Sequence, residues 1–147
     1  MNPALSGLPA FLTRHGGVQS GLMLVQVTAA ALTSELKTLA HPAGADTIPT
    51  SANKEDHVSM SMSAGLKAAR ALELARVVIA IEFLCACQAI DLLAPLRTSP
   101  VLARAHDVIR ARVPALDADR STSNDLGVIT ELIAAGEIER ACATKVN

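Results

Sequence analysis

ARVVIAIEFLCACQAIDLL, residues 75–93, is interrupted by polar side chains only at Arg76, Glu82, Gln88 and Asp91. On a helix its apolar residues cover nearly every face. GLMLVQVTAAALTSELKTLA, residues 21–40, has the same character. A helix that is apolar all round is a buried helix. A chain of 147 residues removes only about two thirds of its unfolded surface from water. Two such helices and two shorter amphipathic ones therefore leave apolar surface uncovered. Either the chain forms a tight helical oligomer, or it is a piece of a larger helical protein whose other helices cover these.

Outward from these two segments the chain reads as all-α. The first helix is expected from about Val18 to Leu39, stopping before His41-Pro42, because proline disfavours helical geometry at the residue before it. The second is expected from about Val58 to Leu93, ending near Pro95. A third opens at TSP, where Ser99 caps and Pro100 takes the first helical position at no hydrogen-bonding cost. The fourth opens at SND, with Ser123 or Asn124 as cap, and closes around Gly136. No stretch alternates apolar and polar residues for long enough to read as a strand.

The composition suits helices: half of the residues are apolar, with two phenylalanines and neither tyrosine nor tryptophan, so the core is one of Ala, Leu, Val and Ile. A net charge of −1 supplies no basic field for nucleic acid or anionic lipid. Cys85, Cys87 and Cys142 form no paired secretory framework, which points to a reducing cytoplasm. The N-terminus lacks the basic and continuous apolar regions of a signal peptide. Gly16–Ser34 is free of charge, but Gln19, Gln26, Thr28, Thr33 and Ser34 argue against a membrane span.

Charge gathers instead in IPTSANKEDHVSM, residues 48–60, where Lys54, Glu55, Asp56 and His57 are consecutive. One reading is structural: Ser51 or Asn53 caps a turn leading into the second long helix, with Glu55 and Asp56 near its positive end. The other is functional: a loop between rigid buried helices offers the carboxylate of Glu55 to a closed site, as a base or as the partner of a cationic substrate. His57 reads as a structural hydrogen-bonding group, His41 as satisfying backbone at a helix end, and Cys85 and Cys87 as core. His15, Lys37, His106 and the arginines from Arg97 to Arg112 read as solvated or intersubunit charge.

Three blocks in this order, LPAFLTRHGGVQSGLMLVQVTAAALTSELKTLAHP (8–42), DTIPTSANKEDHVSM (46–60) and IAIEFLCACQAIDL (79–92), resemble the C-terminal part of the aromatic amino acid lyase family, in its histidine-deaminating branch. The resemblance covers nearly the whole chain. It implies long helices in the central bundle of a homotetramer, followed by shorter C-terminal helices, with residues 1–147 forming one C-terminal segment. The implied reaction is non-oxidative deamination of L-histidine to urocanate and ammonia, in histidine catabolism. It uses an electrophilic methylidene-imidazolone group formed from an internal Ala-Ser-Gly tripeptide. The family's glutamate in a QED block matches Glu55 in KED, whereas phenylalanine lyases usually carry glutamine in NQD. Glu55 is thus the one catalytic residue that the resemblance assigns here, and no metal is implied.

The departures are equally informative. No Ala-Ser-Gly tripeptide occurs, and no tyrosine is present to serve as the family's catalytic one. Lys54 replaces the usual glutamine, and HPAGAD replaces the commoner HPASVD. The expectation is a lyase segment without the N-terminal portion that forms the prosthetic group, inactive alone and dependent on that portion and on other subunits. The alternatives are a non-catalytic helical oligomerisation remnant and a fragment of a related lyase or aminomutase.

Overall fold

The computed structural model describes residues 2–143. Six α-helices follow one another: α1 (Pro3–Ser6), α2 (Met23–Leu39), α3 (Ser61–Leu92), α4 (Pro100–Arg110), α5 (Ser123–Ala134) and α6 (Glu137–Cys142). Short 3-10 turns lie at Ala10–Leu12 and Ser51–Asn53, and there is no strand among the described residues. The all-α expectation holds, and α1 and α6 are additions to it.

Helix α2 begins later than its apolar pattern suggests. Residues before it are tied elsewhere: Leu22 N–H donates to Phe11 O at 2.9 Å, and the Asp119 carboxylate accepts from Ser20 N and Gly21 N at 2.8 and 2.9 Å. The helix therefore starts only after this knot. Ser99 caps α4 as read, its hydroxyl accepting from Leu102 N at 3.4 Å with Pro100 in the first turn. At α5 the cap position is Thr122, which makes no side-chain capping bond, so the expected Ser123 or Asn124 cap is not formed. Gly136, with φ +67°, turns the chain between α5 and α6.

Helices α2 and α3 form an antiparallel hairpin. The less exposed residues of α2, with Leu22 just before it, are Leu22, Val25, Ala29, Leu32, Leu36 and Leu39. They recur at alternating three- and four-residue steps, the spacing of a coiled-coil seam. Along α3, Lys67, Ala71, Leu74, Val78, Ile81, Cys85 and Gln88 keep the same rhythm. The compact core sits at one end of this hairpin, where Leu12, Leu22 and Val25 meet Ala80, Ile81, Leu84 and Cys87 of α3. Ala105, Ile109, Val113, Leu116, Ile129, Leu132 and Ile138 of the C-terminal half complete it. Buried Gln88 ties the layers together, donating to Leu12 O (3.3 Å) and Leu116 O (3.0 Å) and accepting from Leu116 N (3.0 Å).

The long helices are not buried all round within this chain. Only Val25 of α2 is fully buried, while Leu24, Leu66 and Leu72 stand 68, 66 and 67% exposed. Those faces stand open, and Leu24 borders a cleft of about 550 Å³ that it shares with Asp119, Thr122 and Leu126. The loop joining α2 to α3 lies at the open end of the hairpin, with the start of α3 about 30 Å from Ile81 at 1.5 Å per helical residue.

Candidate functional site

The loop between α2 and α3 has a defined shape that it makes for itself. Its two arms are pinned by Thr47, whose hydroxyl accepts from Val58 N at 2.8 Å and donates to Val58 O at 3.4 Å. Nearer the tip, Thr50 and Glu55 exchange backbone hydrogen bonds, Thr50 N to Glu55 O at 3.0 Å and Glu55 N to Thr50 O at 3.3 Å. The Thr50 hydroxyl donates to Glu55 Oε2 at 2.8 Å. Between them, Ser51, Ala52 and Asn53 all have left-handed φ angles of 53, 55 and 65°. At the loop's base, Lys67 Nζ donates to His41 O, and Arg70 pairs with Glu35 at 2.9 Å.

This geometry replaces the capping reading. Helix α3 starts at Ser61 behind Met60, without a side-chain cap, so Ser51 and Asn53 cap nothing there. Glu55 and Asp56 lie more than a helical turn before its first residue. Lys54, Glu55, Asp56 and His57 are all exposed. The cluster is presented outward, and no other part of the described residues closes over it. A shallow cleft of about 330 Å³, lined by residues including Leu36, Leu39, Pro42, Ala64 and Ala71, adjoins the loop's base, and none of the four charged residues lines it.

The other candidates lie apart from Glu55. Cys87 is buried and Cys85 half-buried, and burial pushes both thiols up to about 11, which suits inert core residues. His41 serves the helix end through its main chain, its N–H reaching Thr38 O at 3.3 Å. His106 and Arg110 correct the reading of solvated charge. His106 Nε2 lies 2.7 Å from Asp91 Oδ1, and Arg110 Nε donates to Asp91 Oδ2 at 2.8 Å. Arg110 Nη2 is also 2.8 Å from that oxygen, but it makes no directed hydrogen bond and is an ion-pair contact only. The three side chains join α3 to α4. Among the described residues no group of His, Cys, Asp or Glu could hold a metal ion, and no helix is long and apolar enough to cross a membrane.

Thr47 and Thr50 were not legible as parts of the site. Their partners lie eleven and five residues away, and no glycine marks the left-handed turn. Proline at position 49 and Asn53, which tolerates that conformation, were the only local hints.

The family model for aromatic amino acid lyase matches residues 1–111. The chain belongs to the aromatic amino acid lyase family. Among its relatives in this family, the histidine ammonia-lyase of Symbiobacterium thermophilum is 52% identical over 96% of this chain and 28% of its own length. That of Anaeromyxobacter sp. strain K is 51% identical over 95% of this chain and 27% of its own. The crystal structure of histidine ammonia-lyase from Trypanosoma cruzi superimposes with a TM-score of 0.92 at 45% identity, covering 96% of this chain and 28% of that one. Tyrosine aminomutase from Streptomyces globisporus gives 0.93 at 32% identity, over 99% and 28%. The chain thus spans just over a quarter of the length of these lyase-family relatives. Since lyase and aminomutase superimpose equally well, the fold belongs to the family and does not by itself select a reaction.

Proposed function

We propose that this chain is a portion of a histidine ammonia-lyase, which removes ammonia from L-histidine to give urocanate, and that Glu55 is its contribution to a composite active site. The observation that carries the reading is identity: 52% to the Symbiobacterium histidine ammonia-lyase across nearly the whole chain, against 32% to the tyrosine aminomutase of equal structural similarity. The clamped loop supports it, because a carboxylate on a fixed turn is a suitable proton-transfer group or partner for an imidazole.

The family's methylidene-imidazolone group supplies the electrophile when present. These 147 residues contain no Ala-Ser-Gly run and do not form it, so it comes from a different stretch of protein. What this chain does is narrower. Helices α2 and α3 hold the two ends of the loop, the loop holds Glu55, and a covering surface from the rest of the assembly excludes water from the carboxylate. The working unit is a cytoplasmic homo-oligomer, with the bundle helices α2 and α3 as contacts between subunits and with the remaining portion.

Co-expression with the N-terminal portion of the Symbiobacterium enzyme tests this, with urocanate followed by its ultraviolet absorbance. The isolated chain is expected to form none, and the assembled enzyme to form it. In the assembly, Glu55→Gln is expected to lower turnover by about a hundredfold or more, while Asp56→Asn changes it little. Equal small losses in equally assembled complexes would remove Glu55 from the chemistry.

A further inference from the structure

An exposed turn with three successive left-handed residues, none of them glycine, is unusual. Residues that carry a Cβ avoid that region, and they stay in it only where their surroundings hold them. Here no packed core does so, since residues 51–57 are exposed. The hold comes from the paired backbones of Thr50 and Glu55, and a second bond, between their side chains at 2.8 Å, spans the same two residues.

The two kinds of contact do different things. The backbone pair closes the turn and fixes the direction in which the Glu55 side chain leaves the chain. It leaves the carboxylate free to rotate. The Thr50 hydroxyl removes that freedom by occupying Oε2, and among the described residues no hydrogen bond reaches Oε1. In this chain alone, where the turn is exposed, water would satisfy the same hydroxyl and the same carboxylate at little cost in stability. The consequence of the bond is therefore orientation.

We propose that Thr50 is a positioning residue for Glu55, orienting its carboxylate so that Oε1 is the atom offered to the substrate. The inference rests on the reading of Glu55 as the proton-transfer group. A reacting group displaced by about an ångström loses on the order of a hundredfold in rate, so a carboxylate released to rotate loses turnover without losing substrate affinity.

Thr50→Val keeps the shape of the side chain and removes the hydroxyl, whereas Thr50→Ser keeps the hydroxyl. Both are measured in the assembled enzyme described above, produced as one fused polypeptide if the two portions do not associate. The expected result for Thr50→Val is a fall in kcat on the order of ten- to a hundredfold with KM near that of the unmodified enzyme. Thr50→Ser is expected to restore most of the loss. In a Glu55→Ala background, Thr50→Val is expected to add no further loss, because the group it positions is gone.

Unchanged turnover in Thr50→Val would overturn the proposal. A loss that serine does not rescue, or that persists in full without Glu55, would also overturn it and make Thr50 a folding residue of the turn. The failure of the underlying reading has a different signature: Glu55→Ala itself retains turnover, or the fused unmodified enzyme forms no urocanate.

Discussion

Gly21 shows most directly how one residue sets this structure. Its φ is +55°, and a Cβ there would lie 2.6 Å from Phe11 O, inside the contact that accepts the Leu22 N–H. Gly21→Ala is expected to cost roughly 1–3 kcal/mol, measured as a shift in the denaturation midpoint. An unchanged midpoint would mean that the segment around Phe11 moves freely. The two helical cysteines give a second expectation. Because burial raises their thiols from 9.0 to about 11, the folded protein should label slowly at Cys85 and Cys87 at pH 8 and quickly once unfolded. The unfolded chain ionises first as pH rises, so their contribution to stability is complete below about 9 and falls between 9.0 and about 11. Alkylation at equal rates in folded and unfolded protein would contradict this. At this scale the sequence was informative where charged residues are consecutive in the chain, as in the interhelical loop at Lys54–His57. It was silent where partners are distant, which is why His106 read as solvated although Asp91, fifteen residues earlier, holds it.

Among the elements, the legible boundaries were those set by local covalent rules. Pro42 bounds α2, and Ser99-Pro100 opens α4 as read. What could not be read is any boundary set from across the molecule. Asp119 arrests the chain at Ser20 and Gly21 from 99 and 98 residues away, so α2 begins at Met23 although its apolar pattern continues upstream. Its carboxylate does what an N-cap side chain does, but from the segment before α5. Asp119→Ala is expected to cost about 1–2 kcal/mol and to speed hydrogen exchange at the Ser20 and Gly21 amides. Stability and exchange equal to the unmodified chain would show that water replaces the cap. The seam of the hairpin was hidden for a different reason. When nearly every face of a helix is apolar, periodicity does not single out the stripe that pairs, and only packing distinguishes Leu32 and Leu36 from Leu24 and Val27.

For the molecule as a whole, surface area decides what the uncovered faces mean. A compact monomer of 15.2 kDa exposes about 7,100 Å² by the usual scaling with mass, whereas this chain exposes 9734 Å². The surplus of about 2,600 Å² per chain has the size of an obligate interface, and it includes Leu24, Val27, Met62, Leu66 and Leu72. Large apolar side chains standing uncovered on open helix faces, as these do, seldom persist as a large patch on a soluble monomer. The purified chain is therefore expected to self-associate in sedimentation velocity experiments. Adding the N-terminal portion should convert the heterogeneous species to one discrete assembly, because the complementary surface then competes for the same faces. Charged replacements at two of these positions, Leu66→Glu with Leu72→Glu, separate this expectation from unfolding. If the faces drive association, the double variant becomes a folded monomer alone and fails to assemble. If the unmodified chain sediments as a monodisperse monomer with a cooperative melt, then its apolar faces are stable in water and the covering they were assigned is not required.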